Sequence, residues 1–193
     1  TPTELVPNVK FGLPGHHNLT NALLAFAMAK SYGVSNDKIC AALASFKGVR
    51  RRFSFQIREE NRVYIDDYAH HPTEINAVHQ AVRELYPGKK IIAAFQPHLF
   101  SRTKDFADGF AESLAQFDEI LLLEIYPARE LPMEGINSSW LLTKINNPNK
   151  KLVNKDQLIS TFKNSDASVF ITIGAGDIGE MVKDIKNALY EKD

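Results

Sequence analysis

The sequence predicts an α/β fold: a mainly parallel sheet with helices on both faces, preceded by a short all-helical segment. Three observations carry this. From about residue 62 onward, short apolar runs (RVYIDD, KIIAAF, EILLLEIY, SVFITI) alternate with longer stretches of helical periodicity, the pattern of strand–helix–strand units. The runs are apolar almost throughout, as in strands covered on both faces. The first 47 residues lack the alternation and read as helix alone.

Taken in order, LTNALLAFAMAKSYG puts Leu19, Ala22, Leu23, Phe26 and Ala27 on one helical face, and Gly33 ends it. A second helix runs from about Asn36 to Phe46, with Ile39, Leu43 and Phe46 expected inward. Gly48 and the run Arg50-Arg51-Arg52 mark a junction, so residues 1–50 and 51–193 divide into two domains. FSFQI and RVYIDD are strands joined by a turn at Glu59-Glu60-Asn61. Pro72 opens a helix reaching about Leu85, because the first turn needs no amide from it. KIIAAF is a buried strand, Thr103 to Phe117 one helix and EILLLEIY a strand. SSWLLTKI is a short helix, KLVN a weak strand and Asp156 to Phe162 a helix. SVFITIGAG is a strand ending in glycine, and Ile178 to Tyr190 the last helix.

Composition excludes several classes of function. Lysine plus arginine and aspartate plus glutamate number 23 each, so no net field selects nucleic acid or an anionic membrane as partner. No apolar run approaches a membrane span, and no signal peptide is visible. The single cysteine, Cys40, lies in an apolar helical pattern and reads as a buried thiol. One unpaired cysteine fits a reducing cytoplasm. The abrupt beginning, TPTELVPNVKFGLPGHHN, reads as the middle of a larger fold.

In open parallel sheets, ligands gather at the carboxyl ends of strands. Four polar clusters fall there: Asp66-Asp67-Tyr68 with His70-His71, Gln96-Pro97-His98 through Arg102, Tyr126 through Glu130, and Gly174-Ala175-Gly176-Asp177. The stretch DDYAHHPTE divides in two. His71 to Glu74 makes a helix start, with Glu74 near the free amides and the dipole. Asp67, Tyr68 and His70 lie before that start and are the functional candidates. The spacing matches no zinc pattern, and no metal ligands are assigned. GAGDIG matches a dinucleotide fingerprint but stands in the last strand–turn–helix unit rather than the first. A tight turn in which Asp177 caps the last helix accounts for it as well. The arginine run is either a solvated linker or a phosphate contact. Asn18 and Asn21 share one side of a helix's first turn, and paired amides read an adenine edge through donor and acceptor together.

GHHNLTNALLAFAMAKSYG, GVRRRF, DDYAHHPTE, FQPHLFSRT, IYPARELP and ITIGAGDIG follow one another here as they do in the Mur ligases. The resemblance covers essentially the whole chain, and DDYAHHPTE followed by FQPH is its specific part. It is nearest to the members that add L-alanine to UDP-N-acetylmuramate. It implies the end of a central ATPase domain followed by a Rossmann-like C-terminal domain, and movement about residues 47–52. On this likeness Asn18 and Asn21 contact adenine, Arg52 reaches ATP and Asp67 binds its ribose. Tyr68, His70, His98 and Arg102 line the muramoyl and alanine site, with His70 and Arg102 catalytic. Many relatives carry a basic residue where this chain has Leu99, and Arg129 is the candidate to replace it. The implied partners are UDP-N-acetylmuramate, L-alanine, ATP and the upstream domains of the same chain, with Mg²⁺ bound upstream. No GxxxxGK[ST] phosphate loop occurs in the chain, so this piece alone is expected to lack ligase activity and to bind ATP weakly or not at all. Two rivals are a ligase that recycles murein tripeptide onto UDP-N-acetylmuramate and a stand-alone nucleotide-binding or metal-dependent hydrolase domain.

Overall fold

The computed structural model describes residues 5–191. These form two compact units, divided between Val49 and Arg50.

The first unit holds α1 (His16–Ser31) and α2 (Asn36–Ser45). Gly15 precedes α1 at φ 91, a left-handed conformation that glycine adopts without steric cost. The inward faces read from periodicity are largely uncovered here. No residue of α1 is buried, and Leu19 and Leu23 are exposed. In α2 Ile39 is buried, but Phe46 is exposed and Cys40 only half-buried. Two short helices give these side chains too little apolar surface to enclose them.

The second unit is a six-stranded sheet in the order β1-β2-β6-β3-β4-β5. The strands are β1 (Ser54–Arg58), β2 (Val63–Asp67), β3 (Ile91–Phe95), β4 (Glu119–Leu122), β5 (Lys150–Leu152) and β6 (Val169–Ile173). Only β1 runs antiparallel to its neighbour. The helices are α3 (Pro72–Leu85), α4 (Phe100–Asp105), α5 (Ala107–Leu114), α6 (Ser138–Lys144), α7 (Lys155–Asn164) and α8 (Val182–Tyr190). Alternate strand residues face opposite layers. Val63, Ile65, Ala93 and Phe95 pack with Ile75 and Val82 of α3, Phe110 and Leu114 of α5, and Leu141 of α6. Tyr64, Ile92, Ala94 and Phe170 pack with Leu158 and Phe162 of α7 and with Ile185 and Leu189 of α8. β6 lies between β2 and β3, the kind of order reversal beside which ligands bind in open α/β sheets.

Three local expectations are corrected. The helix expected from Thr103 to Phe117 is two helices, broken at Phe106 with φ −113. The break turns α5 onto α3, where the missing side chain of Gly109 leaves room for Pro72; a Cβ there would stand 3.0 Å from the Pro72 ring. The strand expected over EILLLEIY stops at Leu122. Pro97, following β3, has no N–H to extend the ladder, and pairing returns only at an isolated His98–Tyr126 bridge. Finally, Asp177 opens a 3-10 turn (Asp177–Met181) before α8 without capping it. Its carboxylate is held instead by Gln96 and Lys155, each at 2.7 Å.

Candidate active site

The carboxyl ends of β2, β6, β3 and the segment after β4 are stitched together by backbone hydrogen bonds. Gly174 N–H donates to Asp67 O at 3.1 Å, Gln96 N–H to Ile173 O at 3.0 Å and Leu99 N–H to Tyr126 O at 2.9 Å. The four polar clusters therefore share one edge of the sheet. Gln96 adds a side-chain tie, since its Oε1 accepts the Ile178 N–H at 2.9 Å. The glycines of GAGDIG clear space for these ties. A Cβ on Gly176 would lie 2.4 Å from Gln96 Oε1, and one on Gly174 would lie 2.8 Å from Gln96 O.

Asp67 ends β2 and is 6% exposed. One carboxylate oxygen accepts Phe53 N–H at 2.6 Å and the other accepts Ala69 N–H at 2.7 Å. Burial pushes its pKa up to about 6, against the two amides and the Arg52 charge, which favour the anion. Arg52 is half exposed, with Cζ 5.6 Å from the Tyr68 ring centre and Nη1 3.9 Å from Glu74. An exposed pair that long adds little to stability.

His70 follows on the same loop. Its backbone N–H donates to Glu74 Oε2 at 2.8 Å, while His71 caps α3 by accepting Thr73 N–H at 3.3 Å. The Nδ1 of His70 lies 3.1 Å from Tyr68 O and 3.3 Å from Glu74 Oε2. Both neighbours of Nδ1 are oxygen acceptors, so a proton on Nδ1 has a partner there. The His98 ring is 6.4 Å from that of His70 and stacks on Tyr126 at 5.7 Å. Arg102, in the first turn of α4, donates to His98 Nδ1 at 3.3 Å. Burial lowers the pKa of His98, and the charges of Arg102 and His70 lower it further. The edge thus gathers Tyr68, His70, His98 and Arg102 into one cluster of aromatic and cationic groups, suited to an anionic substrate and to proton transfer.

Leu99 sits at φ 73 as the residue before α4, and Glu130 secures that turn by accepting Ser101 N–H at 2.9 Å and the Ser101 hydroxyl. Glu130 falls within the Tyr126–Glu130 cluster and Arg51 within the arginine run, but their anchoring roles did not follow from motif spacing. Nothing in a one-dimensional pattern distinguishes Arg51 from Arg50 or Arg52. In the first unit, Asn18 and Asn21 lie in the opening turns of α1, and Asn18 Nδ2 donates to Pro14 O at 2.7 Å. Among the described residues no three His, Cys, Asp or Glu side chains are grouped to hold a metal ion.

A six-stranded, mostly parallel sheet with polar clusters on its carboxyl edge is a doubly wound α/β domain, and a family model matches it. Residues 51–176 match the Mur ligase, glutamate ligase domain, and the chain belongs to that family. It is 72% identical over 192 residues to the UDP-N-acetylmuramate–L-alanine ligase of Flavobacterium psychrophilum and 68% identical over 191 residues to that of Flavobacterium johnsoniae. These alignments cover 100% and 99% of this chain, which spans 43% and 42% of those proteins. Among solved structures, the UDP-N-acetylmuramate–alanine ligase of Thermotoga maritima superposes with a TM-score of 0.74 at 29% identity, covering 95% of this chain and 39% of that one. A murein peptide ligase of Psychrobacter arcticus shares the fold, with a TM-score of 0.67 at 24% identity over 94% of this chain and 38% of that one.

Proposed function

We propose that this chain is the C-terminal portion of an ATP-dependent ligase that joins L-alanine to UDP-N-acetylmuramate in the cytoplasm. The observation that carries the reading is identity of 72% across the whole chain to a relative of that name. Residues 1–50 belong to the end of a central ATPase domain, and residues 51–193 form the Rossmann-like C-terminal domain. The rivals, a murein-tripeptide recycling ligase and a stand-alone hydrolase domain, lack a relative of comparable identity among those described above.

The reaction activates the muramoyl carboxylate as an acyl phosphate, which the alanine amine attacks to give amide and phosphate. Asn18 and Asn21 read adenine, and Arg52 and Asp67 hold the phosphates and ribose. An aspartate whose pKa is about 6 is ionised at neutral pH and accepts from ribose hydroxyls. Tyr68 and His98 shape the muramoyl and alanine site. Arg102 stabilises the charge that builds on oxygen in the tetrahedral intermediate, where a placed cation gains more than in the ground state. His70 Nε2 takes a proton from the alanine ammonium, its ring held by Tyr68 O and Glu74. The ligands of Mg²⁺ are assigned to the part of the relatives that this chain does not span.

The test is to express the full-length protein containing this chain and assay ATP-dependent ligation with L-alanine and with murein tripeptide. Alanine-dependent phosphate release is expected, and turnover with tripeptide alone would overturn the assignment. The 193-residue chain alone should show no ligation.

A further inference from the structure

Arg51 is set in the fold differently from its two neighbours. Its side chain is 19% exposed, against 54% for Arg52. The guanidinium donates to Asp66 Oδ2 at 3.2 Å, to Gly174 O, and to Gly176 O at 3.5 Å, which uses all three of its nitrogens. It lies in a socket that exists because residue 179 is glycine. A Cβ there would stand 2.2 Å from Arg51 Cζ and 2.4 Å from Nη1. The backbone is tied as well, since Arg51 O accepts Tyr68 N–H at 2.7 Å. Arg51 and Phe53 both occupy the left-handed region, at φ 61 and φ 46. Non-glycine residues seldom adopt it, and hold it only where surrounding contacts fix the turn. Phe53 N–H is bound in turn by Asp67 at 2.6 Å. Arg52 therefore stands between two residues pinned to the end of β2, and Asp67 is one of the pins.

We propose that Arg51 is a positioning residue for the nucleotide end of the site: seated against Gly179 and bound to the β6 turn, it fixes the backbone from which Arg52 projects and through which Asp67 is held. The proposal rests on the reading that Arg52 and Asp67 meet ATP. It also assigns a purpose to the last glycine of GAGDIG, which is clearance for an arginine from a distant part of the chain rather than a cradle for phosphate. A guanidinium is required because three acceptors lie in different directions around one planar fork.

The experiment uses the full-length protein and four variants: Arg51→Ala, Arg51→Lys, Gly179→Ala and Arg52→Ala. KM is measured separately for ATP, L-alanine and UDP-N-acetylmuramate, together with the thermal midpoint. Arg51→Ala should raise the KM for ATP about tenfold, the loss expected when a charge-assisted anchor is removed. The other two KM values should move less than about twofold. Gly179→Ala, which displaces the guanidinium without altering it, should give the same split, and Arg51→Lys should fall between. Arg52→Ala should raise the KM for ATP at least as much. If Arg52→Ala shifts it while Arg51→Ala and Gly179→Ala lower only the thermal midpoint, Arg51 is merely structural and the proposal fails alone. If Arg52→Ala leaves the KM for ATP unchanged, the nucleotide reading falls and takes the proposal with it. Should Arg51→Ala not fold, Gly179→Ala and Arg51→Lys decide the matter by the same split.

Discussion

The carboxylate of Asp67 holds the backbone N–H of Phe53 at 2.6 Å across 14 residues of sequence. That bond closes the β1–β2 hairpin against the junction that precedes it. Its cost is burial of a charge, and the consequence is measurable. The folded-state pKa of Asp67 is raised to about 6 from an ordinary 3.8, so the native state binds its proton more tightly than the unfolded chain does. Stability from this group is therefore full below about pH 4 and lost as pH rises through about 6, by up to about 3 kcal/mol. Urea unfolding of the wild type and Asp67→Asn across pH 4 to 7 isolates it. The difference in unfolding free energy should shift in favour of the variant as pH rises. A shift the other way would mean that the two amides outweigh burial.

Gly176 should tolerate no side chain. Its Cβ would meet Gln96 Oε1 at 2.4 Å and Tyr126 Cβ at 2.7 Å, and these two residues tie the β3 and β4 ends to the β6 turn. Gly176→Ala is expected to cost about 1–3 kcal/mol of stability, as overpacking does in a close-packed region. Chemical denaturation checks this, and an unchanged midpoint would show that Gln96 relaxes freely.

The order of strands and helices was legible because burial on both faces writes itself as apolar runs, and Pro72 and the glycines punctuate them. The break at Phe106 was not, because it depends on how closely Gly109 lets α5 approach Pro72, a contact between segments far apart in sequence. The clustering of Tyr68, His70, His98 and Arg102 at one edge followed from strand ends in a parallel sheet. The division of labour among three consecutive arginines did not. Arg51 is anchored by Asp66, Gly174 and Gly176, and only the fold brings those groups together. Asp177 misled for a similar reason. A helix-cap reading is local, whereas its partners Gln96 and Lys155 are tertiary.

His98 should titrate higher when Arg102 is removed. Burial is the first cause of its lowered pKa and the Arg102 charge the second. In Arg102→Gln the pKa should rise and remain below the ordinary 6.5, since the ring stays partly desolvated. Proton–nitrogen NMR of the imidazole would read it directly. Full recovery to 6.5 would assign the whole shift to charge.

If His70 takes the proton from the incoming amine, His70→Asn in the full-length protein should lower kcat about 100-fold or more, the usual contribution of a general base. KM for ATP should be little changed. Arg102→Ala should lower kcat with His70 intact. Turnover of His70→Asn equal to wild type would make the ring a bystander that fills space beside Tyr68.

A polar chain runs through the interior of the sheet, and its members should be energetically coupled. Thr172 Oγ1 donates to Asp66 Oδ1 at 2.8 Å and lies 3.1 Å from the Tyr64 hydroxyl, and all three residues are buried. Thr172→Val removes the middle member and leaves a phenol and a carboxylate oxygen without that partner. Each orphaned buried group costs about 1–3 kcal/mol. Tyr64→Phe removes only one end, since Thr172 still has Asp66, and should cost less. With both substitutions the phenol is gone, so the loss of Thr172 orphans only the carboxylate oxygen. The double variant should therefore be more stable than the sum of the two single losses implies, by about 0.5 kcal/mol or more, as expected for residues in one network. Additive losses in a denaturation cycle would show that Tyr64 finds no advantage in Thr172, and that its hydroxyl is buried for packing alone.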